Sequence, residues 1–347
     1  MKMLYPDNHK GFTVVELMIS VTIGLILISA ATATYIAQNR SYVAQESVAE
    51  INTQAKLAQD LIARDSRSAG FGVPLDMNAE PINGNTTIIT PIDSAATSDA
   101  ITIVSGFQMI GTIWPVGGAP GMPCPAAVPL GSTQFVINYS GTEGPNVTDK
   151  QYINIDGVEF VRVQNCNIPG GTTSCDTGTI TIDRPLSQNF PLQDNNGDGL
   201  CDGGRPIYLI EDVTYCVDAN SLLHRISRNG NPANCTALAT STDDIIAENI
   251  EDLQFAFAAD QDGDGQTDNL GGTPAIDAAD FQNGIAIADP SDITTVRINV
   301  LARSDKPDPN FAGLGNPPAS VENRNHAPVN DNFKRRLWQI VVAIRNQ

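Results

Sequence analysis

The chain has 347 residues, enough for one large or two small domains at roughly 100–200 residues each. It is 41% hydrophobic and only 17% charged, which supplies a core and excludes wholesale disorder. Its 39 acidic and 20 basic residues leave a net charge of −19, which argues against nucleic acid as a partner and for carboxylate clusters that a cation neutralises.

The first element is apolar. From Phe12 to Tyr35 the chain reads FTVVELMISVTIGLILISAATATY, at roughly 20 residues long enough to cross a bilayer. The polar leader MKMLYPDNHKG precedes it and carries Lys2 and Lys10. The positive-inside tendency keeps those lysines in the cytoplasm and sends the C-terminal mass outward. An ordinary secretory signal places its small residues after the apolar run, whereas Gly11 comes before it. Cleavage at Gly11 therefore leaves the helix on the mature protein. Glu16 lies inside the run, where a carboxylate costs several kcal/mol unless paired, and is a functional candidate on that ground.

Lys10-Gly11-Phe12-Thr13-Val14-Val15-Glu16-Leu17 resembles the class III signal of type IV prepilins and type II secretion pseudopilins. The resemblance implies that a prepilin peptidase cuts between Gly11 and Phe12 and N-methylates the new terminus. It also implies that Glu16 pairs with the N-terminal amine of a neighbouring subunit during assembly. Burying two opposite charges together in an apolar filament core is much cheaper than burying either alone.

Beyond the membrane segment Ala44, Val48, Ile51, Ala55, Ala58 and Ile62 recur at alternating steps of four and three, one apolar stripe on a helix. Gly70 is the candidate stop. A helix over Phe12–Ser68 spans about 85 Å at about 1.5 Å per residue. The expected organisation is a leader over 1–11, a pilin helix over 12–70 with 12–35 transmembrane, and a β-rich head over 71–347.

In the head the hydrophobic period changes to that of strands. Candidates are Ala100–Ser105, Thr133–Ser140, Glu159–Gln164, Gly178–Ile182, Pro206–Tyr215, Leu222–Ser227, Asp252–Ala258, Thr294–Ala302 and Arg336–Ile344. The predicted fold class is α+β and pilin-like: a long N-terminal helix packed on an antiparallel sheet, with an extra β-rich region from the cysteine-bearing middle. Lys306–Asp331, rich in proline and asparagine, reads as a long exposed loop. Ser66–Gly72, Ile250–Phe255 and the terminal Arg335-Arg336-Leu337-Trp338-Gln339-Ile340 with Arg345-Asn346 resemble the PilW-like minor pilins. Those are low-abundance pilins that prime assembly near the filament tip, similar to a minor pseudopilin of type II secretion.

Six cysteines, Cys124, Cys166, Cys175, Cys201, Cys216 and Cys235, include no CxxC pair and fit disulfides in an oxidising compartment better than zinc. Their count leaves the connectivity open. Loop length favours Cys166–Cys175 and Cys216–Cys235, leaving Cys124–Cys201.

Two acidic stretches follow the first part of an EF-hand-like calcium loop, with oxygen ligands at alternate positions and a glycine at the sharp turn. In the first, Asp260, Asp262, Asp264 and Asp268 supply side chains, Gln266 a carbonyl, and Gly265 the turn. Gly271 replaces the closing bidentate glutamate, so Asp277, Asp280 or water has to complete the shell. In the second, Asp194, Asn196, Asp198 and Asp202 repeat the spacing, with the Leu200 carbonyl between. A solvated Asp/Gly turn is the plain alternative for both.

The three histidines are His9, His224 and His326; none stands in a catalytic motif, and no enzyme is expected. His224 reads as a strand surface residue, and Lys334-Arg335-Arg336 as a charged strand entry. The expected role is a structural minor pilin that initiates assembly. Its partners are the prepilin peptidase, other major and minor pilins and the inner-membrane assembly platform. The expected location is the inner membrane with a periplasmic head, then a pilus at the cell surface. A type II secretion pseudopilin and an adhesive tip pilin are the alternatives.

Overall fold

The computed structural model describes residues 12–74, 77–78, 81–118, 121–124, 127–139, 151–167, 179–227, 243–264, 266–270, 276–287, 289–308, 317–329 and 331–344. The chain divides into two compact units, Met1–Glu50 and Ile51–Gln347. The described part of the first unit is helical from Val14 onward, and its large apolar side chains are exposed. This helix, α1, runs Val14–Arg67.

The strands are β1 (Ile89–Ile92), β2 (Ala100–Trp114), β3 (Ala127–Val128), β4 (Gln134–Tyr139), β5 (Tyr152–Ile155), β6 (Glu159–Asn167), β7 (Thr179–Ile182), β8 (Phe190–Pro191), β9 (Pro206–Val217) and β10 (Leu223–Ser227). The series continues with β11 (Asp243–Ala247), β12 (Ile250–Ala259), β13 (Ile293–Arg303), β14 (Ser320–Val321), β15 (Arg324–Asn325) and β16 (Arg335–Ala343). The main sheet has nine strands in the order β1-β2-β4-β7-β6-β5-β9-β10-β11, and β2 pairs with β9 as well. That extra pairing closes β2, β4, β7, β6, β5 and β9 into a six-stranded antiparallel barrel. The extra β-rich region is this barrel.

Strand alternation explains its interior. Phe135 and Ile137, Ile153 and Ile155, Val161 and Val163, Ile180 and Ile182 point every second side chain inward and are buried together. Burying each contributes about 1.5–3 kcal/mol. Closure requires β2 to serve two neighbours, and Gly111 sits at that point, opposite both Ile207 of β9 and Tyr139 of β4. A Cβ on Gly111 would lie 2.4 Å from the Asn138 carbonyl oxygen, so only glycine admits the approach.

The second core lies under the last turns of α1. Ile51, Ala55, Ala58 and Ile62 pack with Ile101 and Ile103 of β2, Val213 of β9 and the inner face of a three-stranded sheet, β12-β13-β16. The predicted stripe is thus buried only from Ile51, since Val48 is exposed and Ala44 half-buried. The helix ends with Gly70 at φ +79, its N–H bonded to the Val104 carbonyl, so the chain leaves the helix directly onto β2.

A buried ionic cluster fixes that end. Asp65 of α1 accepts from the Tyr215 hydroxyl at 2.6 Å and Arg225 Nε at 3.1 Å. Burial, then the Asp65 carboxylate, pushes the Tyr215 phenol up, so it stays a donor.

Lys306–Asp331 is not simply an exposed loop. Among its described residues β14 and β15 pair as a hairpin, and Val321 is buried. Glu322 takes a bidentate bond from Arg297 of β13, at 2.8 and 2.7 Å. Arg324 and His326 both bind Asp252 of β12, which is fully buried. The reading from composition missed this because the anchoring partners are far away in sequence. His224 is also half-buried rather than on the surface, with Nε2 3.5 Å from Asp218.

Between the two sheets lies Asp99, buried just before β2. Its carboxylate accepts from the backbone N–H of Ser94 at 2.8 Å and of Phe255 at 2.9 Å. Burial raises its pKa to about 7 against those two bonds, and the carboxylates of Asp93 and Asp252 add to the rise.

Candidate functional site

The start of α1 gathers the residues singled out for assembly. Gly11 and the leader lie outside the described residues; Phe12, the first described residue, is 89% exposed. Thr13 and Glu16 form a reciprocal cap. The Glu16 carboxylate accepts from the Thr13 N–H at 2.9 Å, and the Thr13 hydroxyl accepts from the Glu16 N–H at 3.2 Å. The Thr13 hydroxyl also donates to the same carboxylate oxygen, at 3.1 Å. This is the capping box, legible in the sequence as threonine followed three residues later by glutamate. In the sequence Thr13 stands only as part of the signal motif, and its capping of Glu16 was not anticipated.

The apolar segment treats its other polar groups differently. Ser20, Thr22, Ser29, Thr32 and Thr34 each donate to the carbonyl four residues back, at 2.7–2.9 Å. Every hydroxyl between Val14 and Tyr35 except the Tyr35 phenol is therefore satisfied within the helix, as a lipid environment demands. By length and composition the segment is apolar enough to cross a membrane.

The two acidic loops share one hydrogen-bond plan. In the first, the Gly263 N–H binds Asp260, the Asp264 N–H binds Asp262, the Gln266 N–H binds Asp264, and the Gln261 N–H binds Asp268. In the second, the Gly197 N–H binds Asp194, the Asp198 N–H binds Asn196, the Leu200 N–H binds Asp198, and the Asn195 N–H binds Asp202. Each bond occupies the same loop position in both. Gly263 and Gly197 both take positive φ, at +74 and +79, where the chain turns back on its carboxylates.

The loops differ in charge. Ligand oxygens of Asp260, Asp262 and Asp268 lie within 4.8 Å of one another. The Asp264 N–H acts to lower the Asp262 pKa, but the Asp264 carboxylate, partial desolvation and the Asp268 carboxylate together outweigh it and hold Asp262 above its ordinary value. In the second loop the N–H groups of Gly199 and Gly197 hold Asp194 below its ordinary value. Asp277 and Asp280 cap each other across a short 3-10 turn, outside the first loop's carboxylate cluster. Gly265 and Gly271 lie outside the described residues.

The second loop is stitched in place by Cys201, disulfide-bonded to Cys124 across 77 residues with Cα atoms 5.3 Å apart. Cys216 is disulfide-bonded as well. Cys175, Cys235 and the Cys166 side chain lie outside the described residues, and with them the other two expected pairings. Lys334, Arg335 and Arg336 are engaged in the fold: Lys334 binds Asp308, Arg335 binds Glu251 and Asp331, and Arg336 binds Asn52.

Two family models match the chain. Residues 207–346, from β9 through β16, match that of Type IV Pilus-assembly protein W, and residues 6–32 match the prokaryotic N-terminal methylation motif. Residues 33–206, which hold β1 to β8, lie in neither match. No curated protein and no solved structure matches the chain.

Proposed function

We propose that this chain, a PilW-like protein of the type IV pilus, is a minor pilin cut before Phe12, methylated there and built by its apolar helix into the filament, where it initiates assembly near the tip. The observation that carries the reading is the N-terminal helix: an apolar surface with its hydroxyls satisfied internally and one carboxylate, Glu16, at its start. The capping box keeps that carboxylate bonded while the subunit waits in the membrane. A neighbour's N-terminal amine then offers it a charged partner, which an apolar filament core makes the stronger one. Mass spectrometry of the mature protein tests processing and should find N-terminal methyl-Phe12. Glu16→Leu should still be cleaved and remain in the membrane but enter filaments poorly. An intact leader in cells with an active peptidase, or normal incorporation of Glu16→Leu beside wild type, refutes the reading.

The first acidic loop also belongs to the proposal, as a calcium site that stabilises the head. Its donors are hard oxygens from Asp260, Asp262 and Asp268, joined by Asp264 and the Gln266 carbonyl, the ligand chemistry calcium prefers. A divalent cation there converts mutual repulsion into attraction and ties the end of β12 to the segment that follows. The second loop, with Asp194, Asn196, Asp198 and Asp202, is the weaker site of the same kind, because an amide replaces one carboxylate.

A further inference from the structure

Among the described residues most sheet edges are covered or short. The outer edge of β12 is covered, since the Leu253 carbonyl takes the Asp99 N–H at 2.8 Å and Phe257 exchanges both backbone bonds with Gln282. Short 3-10 turns at Gly284–Ala286 and Pro290–Asp292 lie against β1. The edge strand β11 is only five residues long, and short edge strands are a common protection. Among the described residues the outer edge of β16 has none of these protections.

β16 pairs with β13 over nine residues and, among the described residues, has no partner on its other side. The Ile344 N–H bonds the Thr294 carbonyl, and this sets the alternation of the ladder. Residues 338, 340 and 342 face β13 with their backbone groups, while Leu337, Gln339, Val341 and Ala343 turn N–H and C=O to the open edge. Among the described residues no backbone bond reaches those four. Their side chains also lie on the outer face, with Leu337 38% and Val341 51% exposed. From Leu337 to Ala343 the strand carries no charge and no proline.

We infer that the open edge of β16 is a docking strand, completed in the assembled state by an extended strand from the head of a different pilin-type subunit. Backbone chemistry selects a strand, because only extended chain satisfies a row of N–H and C=O groups repeating every second residue. Charge selects the partner. Two copies of this chain, each at −19, repel one another. Arg335 is neutralised within the fold, but the Arg336 side chain, exposed at the start of the strand, bonds only that of the neutral Asn52 among the described residues. The strand therefore fits a partner strand that alternates apolar side chains and carries a carboxylate near Arg336. This rests on the pilin reading above for the class of partner, and on the bare edge for the surface.

The test uses the full chain in cells that assemble the filament, with a benzoylphenylalanine photo-crosslinker placed at Val341, at Gln339 or, as a control, at Leu130 on an exposed turn of the head. Irradiation should join positions 339 and 341 to a protein that itself bears a prepilin-type N-terminus, identified by mass spectrometry, and should leave position 130 unjoined. Adding Val341→Lys to the position 339 chain puts a charge on the buried edge and should cut the adduct about tenfold or more, the effect of about 1.4 kcal/mol. Adducts only with a second copy of the chain, equal yield at position 130, no protein adduct, or no effect of Val341→Lys each overturn the inference. The same spectra report methyl-Phe12: a methylated chain without the adduct sinks the docking strand and leaves the pilin reading standing, and an uncut leader sinks the latter.

Discussion

Asp99→Asn should make the protein more stable in alkaline solution and change its stability little at pH 5. Asp99 is buried, and its pKa is raised from 3.8 to about 7. Between those values the folded chain holds a proton that the unfolded chain has released, so stability falls as pH rises through the window and levels off above pH 7. At about 1.4 kcal/mol per pH unit the accumulated loss is roughly 4 kcal/mol, an order-of-magnitude figure. Asparagine removes the charge but keeps one acceptor oxygen, where the carboxylate served both Ser94 and Phe255. The lost bond costs about 0.5–1.5 kcal/mol, leaving a net gain of about 2.5–3.5 kcal/mol at pH 8. At pH 5 only about 1.7 kcal/mol of that loss has accumulated, which roughly cancels the lost bond, so the variant should match the parent closely. The assay is chemical denaturation of the full chain in detergent at pH 5 and pH 8, followed by fluorescence of Trp114 and Trp338. A variant no more stable than the parent at pH 8 refutes the argument that a buried, mostly ionised Asp99 is held there at a cost.

Asp65→Ala leaves Arg225 and Tyr215 without their buried acceptor and should destabilise by about 3–5 kcal/mol in the same denaturation assay; a loss under about 1 kcal/mol would show the cluster to be dispensable. The full chain in detergent should melt at higher temperature in millimolar calcium than in chelator. Stabilisation by a ligand at a hundredfold excess over its Kd is about 2.7 kcal/mol, and Asp262→Ala with Asp264→Ala should remove most of the difference. Indifference of the unmutated chain to calcium, with no heat of binding by calorimetry, makes the loop an acidic turn only. Gly111→Ala should lower stability by about 1–3 kcal/mol through its clash with the Asn138 carbonyl, and unchanged melting would mean that β4 can retreat at no cost.

The long elements were legible because their signals are local. The apolar run, the 3.6-residue stripe and Gly70 bracket a helix that forms over Val14–Arg67, and alternation located the strand from Pro206 to within two residues of its end. The barrel was not legible, for a physical reason. Its closure depends on the second half of β2, past Ser105, where Gly106, Gln108 and Gly111 interrupt the apolar pattern, and its register with β9 shifts there. β5, at four residues, is too short to rise above its surroundings. The same limit hid the ionic anchors. Nothing local marks Asp65 or Asp252 as buried before the fold brings Arg225, Arg324 and His326 to them across 72 to 160 residues. At the candidate assembly site the sequence was informative because Thr13 and Glu16 are neighbours on one helical turn.

The sharing of β2 and β9 between barrel and sheet has a mechanical meaning. The strands cross from one to the other without a hinge, bonded to each other from Ile101–Tyr215 to Thr112–Pro206. The end of α1 grips β2 near the middle of that seam: the Gly70 N–H holds the Val104 carbonyl, the Gly106 N–H holds the Phe71 carbonyl, and the Ser105 hydroxyl holds the Ser68 carbonyl. A pull on the helix therefore enters the head at a junction common to both of its cores. The barrel cannot swing as a separate weight on a tether, and tension reaches it and the sheet together.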